Sequence, residues 1–227
     1  MPDLVLTLIP LAIGSAVVPV QIIITILLLR SPGGRITAVA WVAGMTAIRL
    51  VQGLVFGLLL GARSDDAGGG DGGSSVLVSV VLLVLAILFY VVAARQLLKH
   101  PDDDAPPPKW MAMLDGVAPG RAFLLGVGLV AISAKFWVFT LGAIAAIGDA
   151  GLGLSGSIAA FLLFVVLAES IHLAAVGFSY AAPARAEAAL ARFSALLERY
   201  NGPIVIALSL VFGTWFLIKA LTGLGII

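Results

Sequence analysis

The stretch Ile132-Ser-Ala-Lys-Phe-Trp-Val-Phe139 holds one lysine inside an otherwise apolar run, residues 122–147. No other charge lies within ten residues of Lys135 on either side. A run of that length crosses a bilayer, because a membrane helix takes about 20 apolar residues. Five further runs read the same way, giving six in all near residues 4–29, 36–61, 75–98, 122–147, 155–180 and 203–224. The composition agrees: 61% of the 227 residues are hydrophobic and 11% charged, with a mean hydropathy of +1.17. A soluble domain of this size carries far more polar surface. The expected fold is all-α, a polytopic membrane protein of six transmembrane helices.

The first run starts Met-Pro-Asp, without a basic region, and reads as a membrane helix rather than a cleaved signal. The chain has no cysteine, so disulfides, thiolate metal sites and thiol catalysis are excluded. A net charge of +1 says little about partners, and no nucleic-acid partner is expected.

Basic residues concentrate on the cytoplasmic side of a membrane. Arg30, Arg35, Arg95, Lys99, Lys109, Arg121, Arg185, Arg192 and Arg199 fall on one side, against Arg63 and Lys219 on the other. Both termini are therefore expected outside. Residues 1–99 carry the first three helices, 100–121 a cytoplasmic Pro/Asp-rich loop, and 122–227 the last three. The loop ends in an interfacial segment with Trp110 at headgroup level. Residues 64–75 read as a flexible external tether. Residues 183–200 read as an amphipathic interfacial helix opened by Pro183. Arg185, Arg192 and Arg199 recur every seven residues along it, facing anionic lipid headgroups, and Leu190, Phe193 and Leu197 form its apolar stripe.

Three segments precede the central loop and three follow it. Two similar halves of three helices insert with opposite topology, so an inverted 3+3 repeat is expected. Pro19 interrupts segment one, and the Ser133-Ala134-Lys135 step interrupts segment four. Disturbed helices in corresponding positions point to a binding site near the bilayer centre. In segment two, Gly53, Gly57 and Gly61 form an edge of small residues for close helix packing. That packing is read as intramolecular, with a homodimer left open.

Arg49, Lys135 and Glu169 each sit mid-segment, with His172 one turn beyond Glu169. Each charge facing lipid would cost about 2.5–3.5 kcal/mol, and the set roughly 7–10 kcal/mol. They must face inward. One reading is a buried ion pair, Arg49–Glu169 or Lys135–Glu169, that pins helices. The other starts from the count: two cations face one carboxylate, and the excess suits an anionic group in transit. His172 is placed to titrate beside them. The expected substrate-binding set is Arg49, Lys135, Glu169, His172, Pro19, Gln21 and Ser133. Glu169-x-x-His172 lacks further ligands for a metal, so neither metal nor cofactor is expected. No phosphate loop or catalytic motif is present, and no enzyme is expected.

The segment Pro-Lys-Trp-Met-Ala-Met-Leu-Asp115, then Ala118-Pro-Gly-Arg-Ala-Phe-Leu-Leu-Gly126 and Ile132-Ser-Ala-Lys135, resembles the central signature of the GAP family. These are the actinobacterial glycolipid- or sulfolipid-addressing, Sap-like membrane proteins. Ser15-x-x-x-Pro19, Arg30-Ser-Pro, Trp41-Val-Ala-Gly44, Asn201-Gly-Pro203 and Gly213 also fit. The family is similar in layout to the lysine-exporter superfamily, where an Asn-Pro-Lys step is common in the fourth helix. By that resemblance Lys135 is the family lysine and Pro19 the first-helix proline, while Ser133 and Ala134 depart from the pattern. The resemblance implies a multi-pass protein of the bacterial plasma membrane that moves a glycolipid or related anionic amphiphile towards the cell surface. It also implies a larger lipid-export machinery as partner. A small-solute exporter for amino acids or ions, and a non-transporting assembly factor, are the alternatives.

Overall fold

The computed structural model describes residues 2–66, 71–98, 114 and 116–227. Among these the regular structure is all helical, in nine helices: α1 (Pro2–Ala16), α2 (Pro19–Arg30), α3 (Gly34–Asp66), α4 (Asp71–Leu98), α5 (Pro119–Ile132), α6 (Ala134–Asp149), α7 (Gly153–Ala168), α8 (Ser170–Ala181) and α9 (Pro183–Gly223). Two stretches are long and apolar enough to span a membrane, Gly34–Gly57 and Arg199–Gly223. Three bent pairs qualify if each counts as one span: α1/α2 at 56°, α5/α6 at 72° and α7/α8 at 62°. The third expected segment lies in α4, where Leu82–Leu98 forms an apolar helix among the described residues. Large apolar side chains stand exposed all along the helices. Such a surface belongs in lipid rather than water. The chain is a helical membrane protein.

One of the three breaks has a local origin in the sequence. Proline forces the residue before it out of the helical region, and Val18 sits at φ −107°, ψ 105° ahead of Pro19. Ser133 is extended at φ −80°, ψ 108° with no proline after it. Glu169 lies at φ −97°, ψ 2°, in the sparsely populated bridge region. The breaks in segments one and four fall where the sequence places them. The third was not expected: segment five was read as one helix carrying Glu169 and His172 on a common face, and it instead bends at Glu169 itself.

Two compact units divide the chain. The first holds residues 1–64 and 107–198. Within it α1 packs on α6 and α7, and α2 on α8. Its apolar core gathers Val18, Ile24, Leu28, Trp41, Val42, Met45, Leu114, Val130 and Phe136. Helices α3 and α5 cross in backbone contact. A Cβ at Gly44 would run into the Phe123 backbone, and one at Gly126 into the Trp41 carbonyl. Small residues are what permit such backbone contact. Of the glycine edge of segment two, Gly53 abuts the Phe161 ring, inside the chain, and Gly57 faces open space.

The second unit holds residues 65–106 and 199–227. Here α4 runs antiparallel to the later part of α9, as three glycine contacts show. Gly223 meets Ser79, Gly213 meets Phe89, and Gly202 meets Gln96. Phe89 stacks with Phe212 and Phe216, and Tyr90 Oη lies 2.8 Å from Thr214 Oγ1.

Two loop expectations change. Residues 64–66 belong to α3 and 71–75 to α4, so the described part of the 64–75 tether is helical. The helix opened by Pro183 does not end near Tyr200 but runs on through Pro203 to Gly223. Its buried stripe is Ala186, Leu190, Ser194 and Leu197, while Phe193 is exposed. Trp110 and the segment around it lie outside the described residues.

Candidate functional site

The first unit carries a polar interior. Along α3, Trp41, Met45, Arg49 and Gln52 recur at helical spacing and share one face. All four side chains are buried, Arg49 at 1% exposure. The glycine crossing of α3 and α5 sets the depth and rotation of this face.

Arg49 Nε donates to Glu169 Oε1 at 2.8 Å, with both side chains almost wholly buried. Of the two partners open to Glu169, the structure selects Arg49. The bend at Glu169 separates this carboxylate from His172, which turns to a different neighbour. The pair is joined at one point only. Arg49 Nη1 and Glu169 Oε2 are buried without hydrogen-bond partners, so the bidentate fork that arginine offers a carboxylate is not used. The guanidinium carbon also lies 5.4 Å from the centre of the Phe136 ring.

Lys135 Nζ lies 5.5 Å from the centre of that same ring. Both cations thus meet on one aromatic residue, at the favourable distance for cation–π attraction. Among the described residues no carboxylate pairs with Lys135. It occupies the first turn of α6, where the helix dipole is positive. Ser133 caps that helix with its backbone alone. Among the described residues the polar centre therefore keeps a positive charge without a paired carboxylate at a helix break.

His172 is held by a hydroxyl. Thr25 Oγ1 lies 2.9 Å from His172 Nδ1, accepts from Trp41 Nε1 at 3.0 Å and donates to the Gln21 carbonyl at 2.9 Å. A hydroxyl has one proton and two lone pairs. With its proton on Gln21, it must accept from both Trp41 and His172, which places the imidazole proton on Nδ1. His172 Nε2, buried and unpartnered, is then the accepting nitrogen of the neutral ring. Gln21 Nε2 reaches Met45 Sδ at 3.3 Å, leaving Gln21 Oε1 without a partner. Ser15 Oγ, Thr140 Oγ1 and both amide atoms of Gln52 are likewise buried and unpaired. Buried polar atoms are ordinarily satisfied, so these atoms are open to further polar partners.

Of the expected set, Arg49, Glu169 and Lys135 meet around Phe136, and Gln21 and His172 meet at Thr25 with Trp41 and Met45; Trp41, Met45 and Arg49 share one face of α3. Pro19 and Ser133 serve as helix starts. Arg185, Arg192 and Arg199 are exposed on α9. The connecting residues escaped the sequence reading. Their signal was present as polar or bulky side chains four apart in apolar helices: Gln21 with Thr25, and Trp41 with Met45 and Arg49.

A family model described as Sap, sulfolipid-1-addressing protein, matches residues 8–222 of the chain. No curated protein and no solved structure matches it.

Proposed function

The chain belongs to the Sap family of sulfolipid-1-addressing proteins, and from that premise we propose that it is a transporter carrying an anionic glycolipid or related amphiphile across the plasma membrane towards the cell surface. The single observation that carries this reading is Lys135: a cation at a helix break, with no carboxylate partner among the described residues, beside Arg49 already neutralised by Glu169. A structural ion pair accounts for Arg49 and Glu169 but leaves Lys135 without a counter-charge among the described residues. An anionic headgroup supplies one, and the positive end of α6 adds to the attraction. Arg49 Nη1 is a second free donor for the headgroup, while His172 Nε2, Gln21 Oε1 and Glu169 Oε2 accept from its hydroxyls.

We infer six crossings with both termini outside. The antiparallel pairing of α4 with the later part of α9 supports this count, because segments three and six run oppositely only if they are an odd number of crossings apart. The inverted repeat draws support from the matching breaks in segments one and four. It draws further support from the grouping of segments one, two, four and five in one unit, apart from three and six. The bend at Glu169 has no counterpart in α3.

One observation favours a second reading, a non-transporting assembly factor. Arg185, Arg192 and Arg199 lie on the helical face opposite the buried stripe of Ala186, Leu190 and Leu197, displayed for a partner or an anionic surface. Head-labelled anionic lipid in proteoliposomes separates the two readings. Lys135→Ala is expected to abolish transbilayer movement in folded, reconstituted protein. Native protein that moves no lipid beside a working control would sink the transporter reading.

A further inference from the structure

The break in segment four has a feature that its sequence does not announce. In an uninterrupted helix the Ala131 carbonyl would accept from the Lys135 N–H, four residues on. Here it accepts instead from the indole Nε1 of Trp137, at 2.7 Å. Ser133 N–H still closes on the Leu129 carbonyl at 3.2 Å and Phe136 N–H on Ser133 at 3.0 Å, but no described hydrogen bond joins Lys135 N–H to Ala131. Trp137 is itself braced by Phe56 of α3, edge to face at 5.5 Å between ring centres.

An exposed helix break in a membrane survives only where other groups satisfy the freed backbone. Trp137 does this for Ala131, and it does so from the same turn that carries Lys135. The carbonyl thus has two candidate donors from one short segment. With the indole in place, α5 and α6 meet at 72° and the Lys135 side chain lies over Phe136.

We propose that Trp137 is a positioning residue: its indole N–H displaces Lys135 N–H from the Ala131 carbonyl and so holds segment four broken. When the indole lets go, the backbone bond closes, the helix straightens, and Lys135 is carried off the Phe136 ring. The proposal concerns the hinge alone and stands whether or not the protein moves lipid. It also explains how the break is kept without the proline that the related pattern has before the lysine.

The test reads one amide. The chain has four lysines, Lys99, Lys109, Lys135 and Lys219, so lysine-selective nitrogen-15 labelling gives four backbone signals, and Lys135→Arg assigns the one of interest. Trp137→Phe keeps the ring against Phe56 and removes only the donor. Hydrogen exchange at Lys135 is expected to slow by about five- to tenfold in the variant, the population change that one hydrogen bond commands. An exchange rate within about twofold of the parent's, in Trp137→Phe protein that keeps its thermal midpoint, would overturn the proposal. If that variant does not fold, the parent alone decides. Its Trp137 indole proton must exchange more slowly than its Lys135 amide, and the reverse order refutes the displacement.

Discussion

Removing Glu169 from its pair should cost the fold far more than removing both partners together. The side chains of Arg49 and Glu169 are 1% and 2% exposed and share one contact of 2.8 Å. Deleting one partner of a buried pair typically costs about 3–5 kcal/mol, because the survivor is left as an isolated buried charge. Two details put Glu169→Ala towards the upper end. Arg49 already has an unpartnered Nη1, and Lys135 shares its aromatic neighbour, so loss of the carboxylate leaves two cations at one ring, that of Phe136. The double replacement Arg49→Met/Glu169→Leu has no such residue of charge and should fall within about 1–2 kcal/mol of the parent, since apolar groups of similar volume often replace buried pairs without loss. Reversible unfolding in bicelles, run as a double-mutant cycle, measures the difference. Neutral interhelical hydrogen bonds in a bilayer couple by only ~0.6 kcal/mol on average, so a coupling above ~2 kcal/mol identifies an ion pair. Additive single costs, with coupling below ~0.5 kcal/mol, would refute the claim that these two residues form the unit described.

Other expectations follow from packing and hydrogen bonding. Gly126→Ala forces a methyl into the Trp41 carbonyl and should destabilise by about 1–3 kcal/mol as an overpacked site. Gly57→Ala, facing open space, should instead be neutral or stabilise by up to about 1 kcal/mol; thermal unfolding of the two variants checks both. Thr25→Val keeps the shape but strands Trp41 Nε1 and His172 Nδ1. It should cost about 1–3 kcal/mol and blue-shift Trp41 emission, read in a variant with the other tryptophans replaced by Phe. Lys135→Ala, which breaks no described ion pair, should change stability by less than about 1 kcal/mol while it abolishes lipid movement. A large loss of stability there would make Lys135 a structural residue.

Prolines show where local reading fails. Pro19 breaks segment one, yet Pro10 lies inside α1 and Pro203 inside α9 without ending either helix. Conversely, the bends at Ser133 and Glu169 have no proline to announce them. A proline removes one donor, and neighbouring groups in a membrane helix can make good the loss. Whether a helix breaks therefore depends on what stands near the freed carbonyl, and at Ala131 that is an indole two residues beyond Lys135.

The sequence by itself determined that the chain is a helical membrane protein, because long apolar runs have no other stable state in lipid. It also determined that Arg49, Lys135, Glu169 and His172 must turn inward, because the cost of exposing a charge to lipid is a local property of the residue. Only the tertiary structure decided that Glu169 takes Arg49 rather than Lys135, that His172 goes to Thr25, and that Gly44 and Gly126 bring the backbones of α3 and α5 together. Partner choice depends on helix rotation and crossing, and these emerge from many weak side-chain contacts that no single segment encodes.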